Sequence, residues 1–140
     1  MKLAIVYWSG TGNTEAMAEA LLANCKELGA DTTLFQVSDF SAADMDKYDA
    51  VAFGCPAMGD EVLEEDEFQP LWDSVRPALP GKKIALFGSY SWNDGEWMRS
   101  WEKEARGDGA NLVYDCVTAY EAPDDDCLAK LKELAAALAK

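Results

Sequence analysis

Along this chain, short unbroken apolar runs alternate with longer stretches whose apolar residues recur every three to four positions, and a segment built for one period cannot serve the other. Such alternation marks strands and helices wound in turn into a parallel sheet with helices over both faces. Strands are expected at about Lys2 to Trp8, Thr32 to Val37, Tyr48 to Gly54, Lys83 to Gly88 and Leu112 to Thr118. Helices are expected near Asn13 to Leu28, Glu67 to Leu79, Glu96 to Arg106 and Asp124 to Leu138. On the first helix Met17, Leu21, Cys25 and Leu28 share a face, and Gly29 marks its end. The second carries a stripe of Phe68, Leu71, Trp72, Val75 and Leu79, and the third turns Trp97, Met98, Trp101 and Ala105 inward. At 140 residues with 49% apolar side chains, the chain is expected to form one domain around a sizeable core.

Five parallel strands joined by right-handed crossovers take the order 2-1-3-4-5 in a doubly wound α/β fold, and the winding reverses between the first and third strands. Ligands bind at that reversal, so the loops SGTGNT, CPAMGDEVLEED and SYSWNDGEW, after strands one, three and four, are expected to converge on a site. The rest of the composition narrows the chemistry. Twelve basic against 26 acidic side chains give a formal charge of −14, which disfavours nucleic acid and anionic membranes as partners. The absence of histidine removes Ser/His/Asp triads, imidazole metal ligands and the ordinary neutral-pH proton shuttle. Cys25, Cys55, Cys116 and Cys127 contain no CxxC pair, which argues against an iron–sulfur or zinc site. The opening run MKLAIVYW is too brief for a signal segment, and no uncharged run approaches the ~20 residues of a membrane span. A cytoplasmic protein with reduced thiols is expected.

Ser9 to Thr14 follows a strand and opens a helix, so its unpaired amides and hydroxyls face the positive end of the helix dipole, an arrangement that suits a phosphate. Gly10 and Gly12 allow the backbone to curl closely, while Ser9, Thr11, Asn13 and Thr14 supply neutral donors. No lysine follows the glycines and the third glycine of the dinucleotide fingerprint is missing, which disfavours a nucleoside triphosphate or NAD. The same six residues also read as a turn with a good helix cap. After the fourth strand, Tyr90 and Trp92 place aromatic rings in a polar loop; Trp92 reads as a stacking residue for a flat ring or as a lid over the core. Met58 reads as a thioether against the other ring face or as loop filler, and Gly59 permits a sharp turn and a close backbone approach.

The segments YWSGTGNT, CPAMGDEVLEEDEF and GKKIALFGSYSW, in this order and spacing in an acidic chain of this length, resemble the flavodoxins, and specifically the short-chain, clostridial type. The resemblance spans nearly the whole chain. It implies a flavodoxin-like fold, a noncovalently bound FMN and a low-potential one-electron carrier that cycles between semiquinone and hydroquinone without turning over a substrate. By position, Ser9, Gly10, Thr11, Gly12, Asn13 and Thr14 match the phosphate loop, with Ser89 adding a hydroxyl. Trp92 matches the stacking aromatic, Met58 the opposite face, Gly59 and Asp60 a turn that reorients with redox state, and Glu61 the contact to the flavin N3 edge. Pro56, Ala57, Tyr90, Ser91 and Gly95 complete the expected cofactor-binding set. Ser91 and Asn93 stand where close relatives often carry glycine, and Pro56 stands where some carry serine.

From these expectations follow a Gly59 carbonyl able to accept a proton-bearing flavin nitrogen, and repulsion of the last electron by Asp60, Glu61, Glu64, Glu65, Asp66 and Asp94. The acidic face is expected to steer redox proteins with basic docking surfaces, reductase-type donors and acceptor enzymes alike, toward a monomer. The alternative is an FMN-dependent NAD(P)H:quinone or flavin reductase of the same fold. It is disfavoured because Trp92 and Met58 would fill both ring faces and only Arg76, Arg99 and Arg106 could hold a dinucleotide's phosphates. A phosphorylatable receiver domain fares worse, since Phe53, Gly54 and Cys55 end the third strand where an aspartate is needed.

Overall fold

Strands covered on both faces must be apolar at every position, and β1 (Lys2–Tyr7), β3 (Ala50–Gly54) and β4 (Lys83–Tyr90) meet that demand, with runs of five or more consecutive buried residues. β2 (Asp31–Gln36), at the sheet edge, is mostly half-buried or exposed. In the computed structural model, which describes residues 1–58, 62–91 and 95–140, every strand pair of the sheet is parallel and the order is β2-β1-β3-β4-β5. This is the doubly wound 2-1-3-4-5 order expected from the sequence.

The fifth position is divided. β5 (Asn111–Leu112) pairs with Lys83 and Ile84, whereas β6 (Val117–Tyr120) pairs with Phe87 to Tyr90 farther along the same strand. A single strand from Leu112 to Thr118 does not form, because Asp115 lies exposed and Tyr114 and Cys116 spend their polar groups on Glu133 and Glu102. β4 itself runs two residues beyond Gly88, so Ser89 and Tyr90 are strand residues, paired with Ala119 and Tyr120, and not part of a loop.

Helices α1 (Asn13–Glu27) and α4 (Asp125–Leu138) cover one face of the sheet, packing Met17, Leu21, Cys25, Leu131 and Leu134 on Leu3 and Ile5. Helices α2 (Phe68–Val75) and α3 (Glu96–Gly107) cover the other. There Trp72 meets Phe53 and Trp101 edge-on at 5.6 Å, and Phe68 meets Trp101 at 5.3 Å, with Trp97 buried beside them. Leu28 does not join the inward face of α1: it is 54% exposed, because the helix ends one residue earlier and Gly29 (φ +81°) turns the chain. α2 stops at Val75 and tightens into a 3₁₀ turn at Arg76–Ala78, since Pro77 restricts Arg76 and has no N–H to continue the ladder. No described helix is long and apolar enough to cross a membrane.

The ends of β3 and β4 lie unusually close. A Cβ on Gly88 would sit 2.1 Å from the Cys55 carbonyl oxygen, which also accepts the Trp97 indole N–H at 3.1 Å. The Cys55 and Ala57 amides continue the pairing by donating to the Phe87 and Ser89 carbonyls. This approach carries the second and third loops side by side to the end of β1.

Candidate functional site

The carboxyl ends of β1, β3 and β4 border a cavity of about 340 Å³. Nine of the expected site residues line it: Gly10, Thr11, Asn13, Pro56, Ala57, Met58, Ser89, Tyr90 and Ser91. Trp8 and Glu121 complete the wall.

Its polar end is built by the start of α1. Gly12 stands at the N-cap with φ +97°, a left-handed conformation open to glycine and costly to residues with a Cβ. The Ser9 hydroxyl accepts the amides of Gly12 at 3.1 Å and Glu15 at 3.3 Å, fixing the curl of the loop. The amides of Thr11, Asn13 and Thr14 meet no acceptor among the described residues, so they remain for a ligand at the positive end of the helix. Beneath the loop the Thr14 and Ser89 hydroxyls, 1% and 4% exposed, share a hydrogen bond of 2.8 Å. That bond ties the first loop to β4. SGTGNT is therefore a turn held by Ser9, and the amides of Thr11, Asn13 and Thr14 are placed as the phosphate reading requires.

On the other side of Trp8 opens a second cleft of about 550 Å³, lined by Ser9, Gly12 and the carboxylates Glu15 and Glu67 among others. Both acids are already engaged, Glu15 with the Tyr7 hydroxyl at 2.9 Å and Glu67 with the Trp8 indole N–H at 3.4 Å. Burial and the neighbouring Glu15 raise the Tyr7 pKa. Gly10 and Thr11 border both hollows; the larger carries two carboxylates and the smaller one, Glu121, so the smaller is the less hostile to an anion. Among the described residues, neither is lined by lysine or arginine.

Beyond β3, Met58 and Val62 exchange both amide hydrogen bonds, at 2.9 and 3.0 Å. Gly59, Asp60, Glu61 and Trp92, four of the expected cofactor residues, lie outside the described residues, as do Asn93 and Asp94. Gly95 (φ +89°) caps α3 and borders a separate cavity of about 270 Å³ with Met98 and Cys116.

Glu64 corrects one expectation. It does not face the loop's solvent side as part of a charged rim: it is 6% exposed, and its carboxylate accepts the amides of Asp66, Glu67 and Phe68, each at 2.8 Å. Its own amide donates to the Cys55 thiol. Burial alone would raise its pKa, but the three N–H groups hold it below the usual carboxylate value. It caps α2, and its charge is spent there.

Two wall residues were not signalled by the sequence. Trp8 reads as the end of a buried strand, and Glu121 sits in YEAP with nothing to distinguish it from other surface acids. All four cysteines are free thiols; burial pushes Cys25 and Cys127 up to about 11 and Cys116 up to about 12, and raises Cys55 as well.

The family model described as flavodoxin matches residues 5–134. This chain belongs to the flavodoxin family. It is 44% identical to the flavodoxin of Clostridium beijerinckii over 136 residues, covering 95% of this chain and 99% of that protein. It is 43% identical to the flavodoxin of Megasphaera elsdenii, covering 97% of each. The solution structure of two-electron reduced Megasphaera elsdenii flavodoxin superposes with a TM-score of 0.91 at 42% identity, covering 98% of both chains. Flavodoxins are FMN-binding flavoproteins that carry electrons as redox partners of other proteins. The cavity suits that cofactor: acceptor-free amides and buried hydroxyls provide for a phosphate without cations, and the walls beyond them, with Met58 and Tyr90, become apolar enough for a ring.

Proposed function

We propose that this protein is a single-domain, low-potential one-electron carrier that holds FMN noncovalently in the 340 Å³ cavity and turns over no substrate of its own. The observation that carries this reading is the trio of acceptor-free amides at the start of α1, set over the buried Thr14–Ser89 hydroxyl pair. Bound FMN supplies the capacity to accept and release electrons singly. The chain's residues do the rest. The phosphate falls to Thr11, Gly12, Asn13 and Thr14, with Ser9 holding the loop and Ser89 supplying a second-strand hydroxyl. Met58 and Trp92 cover the ring, Ala57 and Ser91 flank it, and the turn at Gly59, Asp60 and Glu61 contacts its edge. The Met58–Val62 pairing supports this last role, because it joins the two residues that flank that segment.

The partners are redox proteins with basic docking surfaces, steered by a net charge of −14 toward a cytoplasmic monomer. The test is the colour of the purified protein, an FMN titration of the apoprotein, and an NADPH-oxidation assay without partners. Yellow protein that binds one FMN and oxidises no NADPH supports the carrier. NADPH turnover without a partner selects the reductase reading instead, and apoprotein that refuses FMN removes both.

A further inference from the structure

Among the described residues, six adopt positive φ, and five of them are the glycines Gly12, Gly29, Gly81, Gly95 and Gly109. The sixth is Glu121, at φ 58°. A residue with a Cβ disfavours this conformation by roughly an order of magnitude, and glutamate has none of the short side-chain hydrogen bonding that eases asparagine or aspartate into it. Among the described residues the chain therefore uses glycine wherever else it bends this way and keeps a long acid here.

The position explains what the bend achieves. Glu121 is the first residue after β6, and its amide donates to the Tyr90 carbonyl at 2.6 Å, extending the β4–β6 pairing by one bond. The left-handed turn then breaks the strand, leaves the Tyr120 ring edge-on against Tyr90 at 5.6 Å outside the wall, and sets the exposed Glu121 at the cavity rim beside Ser89, Tyr90 and Ser91. Glu121 is the one carboxylate among the described residues that line this cavity.

We propose that Glu121 is a positioning residue whose strained backbone holds a carboxylate over the cofactor cavity, where its charge lowers the potential for the final electron. The strain is retained because a glycine, which would relieve it, would lose the charge. The inference rests on the reading that this cavity holds FMN.

Strain and charge separate in three variants. Glu121→Gln keeps the strain and removes the charge; Glu121→Asn and Glu121→Gly relieve the strain and remove it too. In redox titrations of the FMN-loaded protein at low ionic strength, all three raise the equilibrium constant for the final electron about fivefold, equivalent to about 40 mV at 59 mV per tenfold. High salt shrinks the difference. In melting of the apoprotein, with Glu121→Gln as the reference that removes the charge and keeps the strain, Glu121→Gly and Glu121→Asn melt higher than Glu121→Gln. An unmoved potential in Glu121→Gln, or no gain in apoprotein melting for Glu121→Gly over Glu121→Gln, overturns the proposal while FMN binding by the wild type leaves the cavity assignment standing. Wild-type protein that takes up no FMN overturns both.

Discussion

Glu64 shows how far one side chain's role depends on what folds around it. In the run EVLEED the sequence offers Glu61, Glu64 and Glu65 as interchangeable acids, yet only the start of α2 at Phe68 decides that Glu64 turns inward onto three amides. Because its folded-state pKa is depressed from the ordinary 4.5, its contribution is complete above that value and is lost as pH falls through the lower folded value. Urea unfolding from pH 7 down to pH 3 should show wild type losing on the order of 1 kcal/mol more than Glu64→Gln, while at pH 7 the variant is the less stable by about 1–2 kcal/mol. Equal pH profiles would remove the cap. Gly12, by contrast, was legible: glycine before a helix at a strand end reads as a tight turn. Nothing lies within 4 Å of where a Cβ would go, so Gly12→Ala acts through φ +97° alone. It should cost about 1–2 kcal/mol in denaturant unfolding and weaken FMN binding as the loop relaxes.

At the scale of elements, apolar periodicity carried most of the information, and it failed where polar groups or proline intervened. The buried runs of β1, β3 and β4 and the inward tryptophans of α3 stood in the pattern. The division of the fifth strand did not, because VYDCV alternates well enough for one strand until Asp115 is given solvent and Cys116 a carboxylate partner. The extension of β4 through Ser89 and Tyr90 was hidden for the opposite reason: polar residues enter a strand when β6 arrives to pair with them. Two predictions belong here. Asp124, whose side chain accepts the Cys127 amide at 2.9 Å, caps α4, and Asp124→Ala should cost about 1 kcal/mol and lower the melting midpoint by about 3 °C. Gly88→Ala meets the Cys55 carbonyl at 2.1 Å, a backbone atom that cannot step aside, so it should destabilise by about 3 kcal/mol and weaken FMN binding, since the strands that carry two of the loops are forced apart. Unfolding curves indistinguishable from wild type would mean that the sheet accommodates the methyl.

For the molecule as a whole, charge sets the behaviour. On the proposed reading, a protein of net charge −14 holds a dianionic phosphate with amides and hydroxyls, with no lysine or arginine among the described residues of the cavity wall, and so binds it against its own field. Screening that field should tighten FMN binding as ionic strength rises, opposite to the behaviour of a lysine-lined phosphate site, and fluorescence titration at 20 mM and 500 mM salt, both chosen to straddle the ~10 Å screening length at 0.1 M, reads the sign directly. Electron transfer to a basic partner should slow over the same range, as stopped-flow rates would show. Weaker FMN binding in high salt would locate a cation at the site.

The doubly wound order and the convergence of three loops were set by the sequence alone, because periods of two and of three to four residues exclude one another and a parallel sheet leaves few topologies. So was the tight loop between β1 and α1, whose small residues follow directly from a strand meeting a helix. Tertiary structure decided which acids keep their charge in play: Glu64 withdrew into the cap of α2, and Glu121 was turned to the cavity rim by a backbone conformation that its residue type does not announce. The reason is that a carboxylate's effect depends on the amides, dielectric and cavity around it, and chain segments far apart in sequence supply all three.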